Sequence, residues 1–264
     1  MTDIIMKENI LSYTNFATSY NILVLETVNS TNFLLKELAK KGAPHETLVI
    51  ANKQTEGRGR LGRSFFSPED SGIYMSILLK SDKVPLSSSL LTVAAGVAVC
   101  RALNSIAQKP ALIKWVNDIF IDGKKVCGIL AESIIDPVSN TPDYIIVGTG
   151  LNVTTPDELF PGELKGVAGS IFPKKVTRNE IISKIIDEFK YIYETSNEEN
   201  LIAEYKKYSC VLGKKINFIK NNEVYSGTAI DINIEGNLVV KLENGETITL
   251  KSGEVSLGSE NFIK

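Results

Sequence analysis

The stretch KQTEGRGRLGRSFFSP, residues 53–68, concentrates Arg58, Arg60 and Arg63 among Gly57, Gly59 and Gly62. Guanidinium forks pair with phosphate or carboxylate oxygens through parallel hydrogen bonds. Glycines let the backbone approach a ligand closely and take positive φ. Lys53 and the three arginines face one carboxylate, Glu56, in a chain whose formal net charge is only -2. An anion site is one reading of this loop, and a solvated arginine turn is the other. The spacing G-x-G-x-x-G is present, but a dinucleotide fingerprint opens a helix after a strand. Arg58, Arg60 and the Phe65-Phe66 pair do not suit that context.

Three further stretches carry polar groups in patterns that could do chemistry. IKWVND (113–118) puts Lys114, Asn117 and Asp118 around Trp115: a cation, an amide and a carboxylate at one strand end. A core tryptophan followed by a polar turn explains the same residues. KKVCGIL (124–130) sets Lys125 before an apolar strand broken by Gly128. A lysine entering a pocket acts as a point charge on a phosphate or carboxylate, and a strand glycine marks close approach of another group. A solvated hairpin lysine is the alternative. GTGLNV (148–153) ends a strand in small residues and Asn152, whose amide can both donate and accept at a nucleobase edge, or simply cap a turn.

Composition bounds the chemistry. The chain has 264 residues, 43% of them hydrophobic and 23% charged, values of a soluble globular protein with room for one core and a small second module. A sequence pI near 5.7 argues against a general nucleic-acid binder. Cys100, Cys127 and Cys210 are odd in number and form no C-x-x-C pair, which reads as free thiols in a reducing, cytoplasmic setting. The apolar run 90–100 is too short for a bilayer, which needs about 20 residues. His45 is the single histidine, in a turn-like surface context. A Ser-His-Asp triad or multi-histidine zinc site has little to work with, and no metal ligands are assigned.

The elements that must position these groups follow from periodicity. Strands are expected over 21–28, 47–52, 72–80, 111–116, 119–135 (turning at Asp122-Gly123) and 143–153. Helices are expected over 30–42, with Ser30 as N-cap and Gly42 closing it, over 86–107, apolar nearly all round, and over 177–195, behind a Thr177/Glu180 capping box. Residues 198–209 extend the helical region. From Leu212 onward, short alternating strands separated by Asn- and Gly-containing turns suggest a small β-barrel. The expected fold is α+β: residues 1–210 as a mixed, mostly antiparallel sheet with helices packed on it, and residues 211–264 as the barrel.

Taken together and in this order, STN (30–32), GRGRLGR, KWVND, KKVCGIL, GTGLNV and a C-terminal barrel resemble the biotin protein ligases, also called biotin–[acetyl-CoA-carboxylase] ligases, over residues 21–258. The resemblance implies a class II synthetase-like fold and an ATP-dependent ligase. Biotin would be activated as biotinyl-5′-AMP and passed to a lysine of a biotin carboxyl carrier protein domain, of acetyl-CoA carboxylase or another biotin-dependent carboxylase. Mg²⁺ would accompany ATP. Neither nucleic acid nor membrane is implied as a partner, and a homodimer is left open.

By the same resemblance, Ser30, Thr31, Asn32, Gln54, Arg58, Gly59, Arg60, Lys125 and Gly128 would line the biotin site. Arg60, Arg63, Phe65, Asn117 and Asn152 would face the nucleotide. Lys125, Arg58, Arg60, Asp118 and Lys114 would be the catalytic groups, with Lys125 bonding the biotin carboxyl and the adenylate phosphate and Asp118 near the incoming amine. The glycines of the arginine loop would let it close over the adenylate and exclude water. Val116 stands where the family usually has proline. Some members carry an N-terminal DNA-binding domain and double as repressors; about 20 residues before the first strand are too few for one, so a ligase without a repressor role is expected. Lipoate or octanoate ligases and transferases share the fold, but GRGRLGR is not their pattern. A non-enzymatic nucleic-acid binder is the alternative from a different class.

Overall fold

A computed structural model describes residues 3–16, 19–106, 110–220, 223–253 and 255–257. The chain runs α1 (Lys7–Tyr13), β1 (Asn21–Val28), α2 (Thr31–Lys40), β2 (Thr47–Gln54), β3 (Gly72–Lys80) and α3 (Ser88–Asn104). It continues with β4 (Leu112–Lys114), β5 (Asp118–Ile121), β6 (Lys124–Ile135), β7 (Pro142–Asn152), α4 (Arg178–Thr195) and α5 (Glu198–Tyr208). Five short strands follow: β8 (Lys215–Lys220), β9 (Glu223–Ile232), β10 (Leu238–Leu242), β11 (Thr247–Leu250) and β12 (Val255–Leu257). The fold is α+β, as its sequence patterning indicates.

Seven strands form the main sheet, in the order β1-β2-β3-β7-β6-β5-β4. Only β1 and β2 pair in parallel; the other neighbours are antiparallel. A parallel pair needs a crossover, and α2 supplies it. Side chains alternate across the sheet. Leu48, Ile50, Ile73, Met75, Ile77, Ile145, Val147 and Leu151 face the large core. That core is covered by α3, which packs on β4 to β7 and against α4 and α5. Val49, Leu78 and Ile146 point the other way, onto Leu35 and Ala39 of α2. Helix α2 is short, so it covers only part of that second face. The uncovered part is where the chemistry-bearing residues gather.

Helix α4 begins as its sequence indicates, with the Thr177 side chain accepting from the Glu180 N–H and the Glu180 side chain reaching back. Ser30 occupies the N-cap position of α2 without a side-chain cap bond. Gln54 Oε1 takes the Thr31 N–H instead, at 2.8 Å. Helix α1 had no periodic signal, because it buries only Ile10. It is held on α4 by Met6 N–H to Asn179 Oδ1 (2.9 Å) and by Ser183 Oγ to the Ile10 carbonyl (2.8 Å).

The C-terminal strands form a five-stranded antiparallel sheet, β11-β10-β9-β8-β12. No pairing between β11 and β12 closes it among the described residues, so the barrel expected from the sequence is an open sheet. Its two edge strands, β11 and β12, are only four and three residues long. Trp115 links the two sheets: it is buried, and its indole N–H donates to the Gly236 carbonyl at 2.9 Å.

Candidate active site

The uncovered sheet face is hollow because of three glycines. The register places Ser76 opposite Gly148 and Gly148 opposite Leu130, with Tyr74 opposite Gly150 and Gly150 opposite Gly128. These residues share one face, and at its centre there are no side chains. An ideal Cβ on Gly148 would lie 2.2 Å from Asn32 Oδ1, and one on Gly150 2.6 Å from the Phe65 ring. The glycines are thus sockets: the Asn32 amide seats over Gly148, and the Phe65 ring seats over Gly150 and Gly128.

Above this floor lies a cavity of about 650 Å³, within the size range of small-molecule sites. Its walls are the start of α2, the arginine loop, the β4–β5 turn, Leu164 and Val167, and the strands β8, β9 and β12. Ser30, Thr31, Asn32, Gln54 and Gly128 line it, as do Arg58, Gly59, Arg60, Arg63 and Phe65. Lys114, Asn117, Asp118 and Lys125 complete the set. Asn152 does not: it is buried beside the cavity, its Nδ2 donating to the Gly169 carbonyl at 3.1 Å.

A bulge aims Lys125. The β5–β6 register moves from Ile119↔Cys127 to Phe120↔Lys125, leaving Val126 as an extra residue. Val126 and Cys127 therefore both join the core, and Lys125 is turned to the face that carries Gly128. Bulges re-aim side chains in this way. Its Nζ lies 2.7 Å from Asp118 Oδ1. The alternatives left by the sequence resolve together here: Trp115 is a core tryptophan, and its polar neighbours Lys114, Asn117 and Asp118 face the cavity. The Trp115–Val116 peptide is cis.

The arginine loop is a narrow hairpin. Arg58 bridges Ser64, Gly59 N–H donates to the Arg63 carbonyl at 2.7 Å, and Phe65 N–H donates to the Gly57 carbonyl at 2.8 Å. The loop turns at Leu61 and Gly62, both at positive φ. Gln54 Nε2 donates to Ser67 Oγ at 2.9 Å, fastening the end of β2 to the far end of the loop. Arg60 Nη1 reaches Asn117 Oδ1 at 3.1 Å and the Gly253 carbonyl at 3.4 Å. One arginine thus touches both the β4–β5 turn and the segment between β11 and β12. Asn117 is held in turn by Ile129, its Nδ2 donating to that carbonyl at 2.9 Å.

Several contributors were not visible in the sequence. Ser76 lies beneath the floor, buried, with its hydroxyl 2.6 Å from Asn32 Oδ1 and 2.7 Å from Thr31 Oγ1. Its position on β3, alternating with core residues, was the available signal. The segment around Val167 is pinned to Lys125 by Lys125 N–H to the Val167 carbonyl (2.8 Å) and Gly169 N–H to the Lys125 carbonyl (2.9 Å). The second sheet lends Asn217, Ile219 and Val224 to the mouth. None of these long-range pairings leaves a local sequence trace.

No protein nucleophile emerges. All three cysteines are free and buried, and burial pushes their thiols up, Cys210 to about 11. They remain protonated at neutral pH. His45 is not on an open surface turn but half-buried, accepting the Lys80 N–H at Nδ1 (3.1 Å), and burial lowers its pKa. It lies outside the cavity. Among the described residues no group of three or more His, Cys, Asp or Glu side chains could hold a metal ion. No helix there is long and apolar enough to cross a membrane.

Comparison with known proteins agrees with this geometry. Residues 24–152 match the Biotin/lipoate A/B protein ligase family, and residues 211–258 match the Biotin protein ligase C terminal domain. The chain is 34% identical over 245 residues to the bifunctional ligase/repressor BirA of Bacillus spizizenii, covering 90% of this chain and 74% of that protein. It is 31% identical to the biotin–[acetyl-CoA-carboxylase] ligase of Mycobacterium tuberculosis, covering 88% of this chain and 87% of the relative. The solved biotin protein ligase of Aquifex aeolicus in complex with biotin and ATP superimposes with a TM-score of 0.73 at 30% identity, covering 90% of this chain and 98% of that one.

Proposed function

The chain belongs to the biotin protein ligase family, and from that premise we propose how its cavity performs the reaction. The protein is an ATP-dependent ligase that activates biotin and transfers it to a carrier protein. The observation that carries the assignment of residues is one cavity holding three things. These are the polar groups of Thr31, Asn32 and Gln54 on one wall, the cations Arg58, Arg60, Arg63, Lys114 and Lys125, and a single carboxylate, Asp118.

In the first step a biotin carboxylate oxygen attacks the α-phosphorus of ATP. The new O–P bond replaces the bond to the bridging oxygen, and pyrophosphate leaves. Two anions must meet, so the barrier is largely electrostatic, and preorganised cations lower it. Lys125 stands on the sheet face beside Gly128 and takes the nascent anhydride. Asp118 Oδ1 lies 2.7 Å from its ammonium. The arginines face the phosphates, and Phe65 and Asn117 flank the nucleotide. Asn152 supports the same end from beneath, through Gly169. Asp118 is the one carboxylate lining the cavity, so a Mg²⁺ accompanying ATP would be held mainly through the substrate phosphates. It would offset phosphate charge.

In the second step a carrier lysine amine attacks the activated carbonyl. A C–N bond forms, the acyl C–O bond breaks and AMP leaves. The amine is protonated in water, with a pKa near 10.4, and must lose a proton. Asp118, at the cavity wall, orients it and accepts that proton. The acceptor is a biotin carboxyl carrier protein domain of a biotin-dependent carboxylase.

The test is direct. With biotin, MgATP and an apo carrier domain, the carrier gains the mass of one biotinyl group, and with lipoate in place of biotin it does not. A folded protein that binds biotin yet leaves the carrier mass unchanged would refute the assignment.

A further inference from the structure

Glu132 lies off the cavity, on the same face of β6 as Gly128 and Leu130, and opposite the apolar Ile146 of β7. A carboxylate in such a place needs partners, and it has two from different parts of the site. Asn32 Nδ2 donates to its Oε2 at 2.8 Å, and Arg58 Nη1 lies 3.5 Å from its Oε1. The carboxylate side chain is 28% exposed and that of Arg58 47%, so the Asn32 bond is the better shielded of the two contacts.

We propose that Glu132 is a positioning residue of the biotin site, which fixes the orientation of the Asn32 amide and holds Arg58 against the same wall. The inference rests on the ligase reading above. An ionised carboxylate can only accept, so it draws the NH₂ end of Asn32 toward itself. The second amide proton is taken by the Leu130 carbonyl at 3.3 Å. Oδ1 must then face the other way, where Ser76 Oγ lies at 2.6 Å. The Ser76 hydroxyl has one proton, and Oδ1 can only accept, so that proton serves Asn32. Both Asn32 donors and one of its two lone pairs are therefore committed. What remains for a ligand is the second lone pair of Oδ1, an acceptor suited to a ureido N–H. Reversing the amide would set Oδ1 against the carboxylate and place two donors near Ser76. Glu132 thus converts an ambiguous amide into a dedicated acceptor.

The Arg58 contact joins this to the loop. Arg58 forms the neck of the hairpin through its backbone bridge to Ser64. The same carboxylate therefore positions the ring-recognising amide and the loop that carries the phosphate-facing arginines. Neutralising it would loosen both, while a shape change that keeps the charge would loosen one.

Steady-state kinetics and biotin titration calorimetry on the full chain test this with Glu132→Ala, Glu132→Gln and Glu132→Asp. Glu132→Ala should raise the KM and Kd for biotin about tenfold or more, as expected for losing a hydrogen bond to a charged group, with a smaller change in the KM for ATP. Glu132→Gln keeps the volume but not the charge and should show a similar defect. Glu132→Asp, which keeps an acceptor-only head, should recover part of the affinity. A purely structural carboxylate would lower Tm in all three and leave biotin KM and Kd as in the wild type; that result overturns the proposal and leaves the ligase reading intact. A wild-type protein that forms no biotinyl-5′-AMP would overturn both.

Discussion

Gly148→Ala isolates the socket that seats Asn32, the amide proposed to recognise the biotin ring. The added methyl would lie 2.2 Å from Asn32 Oδ1, and contacts under 3.0 Å are not sustained. The amide must therefore retreat by at least about 0.8 Å. Its bond to Ser76, now 2.6 Å, stretches to the margin of hydrogen bonding, and the aligned contact to Glu132 is disturbed. Losing a bond to a neutral hydroxyl and weakening one to a carboxylate costs about 1.5–3 kcal/mol. If that cost falls on the bound state, biotin affinity drops roughly 10- to 150-fold. Calorimetric titration with biotin measures it, and a thermal melt verifies that the variant is folded. Ser76→Ala removes the hydroxyl that donates to Asn32 Oδ1 without added bulk, and should weaken binding about tenfold. If folded Gly148→Ala binds biotin as tightly as the wild type, Asn32 is not positioned by this socket and the reasoning fails.

Two further outcomes follow from other parts of the molecule. Burial lowers the His45 pKa below its ordinary 6.5, so the unfolded chain binds the proton more readily. The destabilisation is absent above about pH 6.5 and grows as pH falls into the window below it; chemical denaturation between pH 5 and 7 should show it in the wild type, and His45→Gln should flatten that part of the curve. The arginine loop is expected to tighten over ligand. Amide exchange across residues 57–65 should slow when biotin and ATP are added, and equal exchange in both states would contradict closure while leaving the anion site in place.

Much of the site is local in sequence, and that part was legible. The arginine loop, KWVND and the Lys125 hairpin each bring several polar groups within a few residues, so composition raised them as candidates beside plain structural readings, and only the family resemblance gave them roles. Strand and helix periodicity placed β1 to β7, α2, α3 and α4. Glycine in GTGLNV was visible as smallness, but its purpose was not: the hollow exists only because the β6–β7–β3 register aligns Gly128, Gly148 and Gly150. Lys125 faces the cavity because of a bulge that no single-sequence pattern announces. Glu132 sits four residues beyond Gly128 on the same strand face, a period-two signal available in hindsight. The C-terminal strands were recognised by alternation, whereas closure depends on long-range edge pairing, and among the described residues the sheet is open. Asn152 was placed at a strand end correctly, yet its side chain turns to Gly169, a contact made across a loop.

The most direct test of the account is biotin-dependent pyrophosphate release in the absence of any carrier, measured with the bound nucleotide identified by mass. The wild-type protein should release pyrophosphate only when both biotin and MgATP are present, and retain biotinyl-5′-AMP. Lys125→Ala, which removes a partly buried cation beside Asp118 without adding bulk, should stay folded and lose about 100-fold or more of that rate, the scale of removing one preorganised charge-stabilising group. A folded Lys125→Ala protein that releases pyrophosphate at the wild-type rate would contradict the role given to the cavity's central cation.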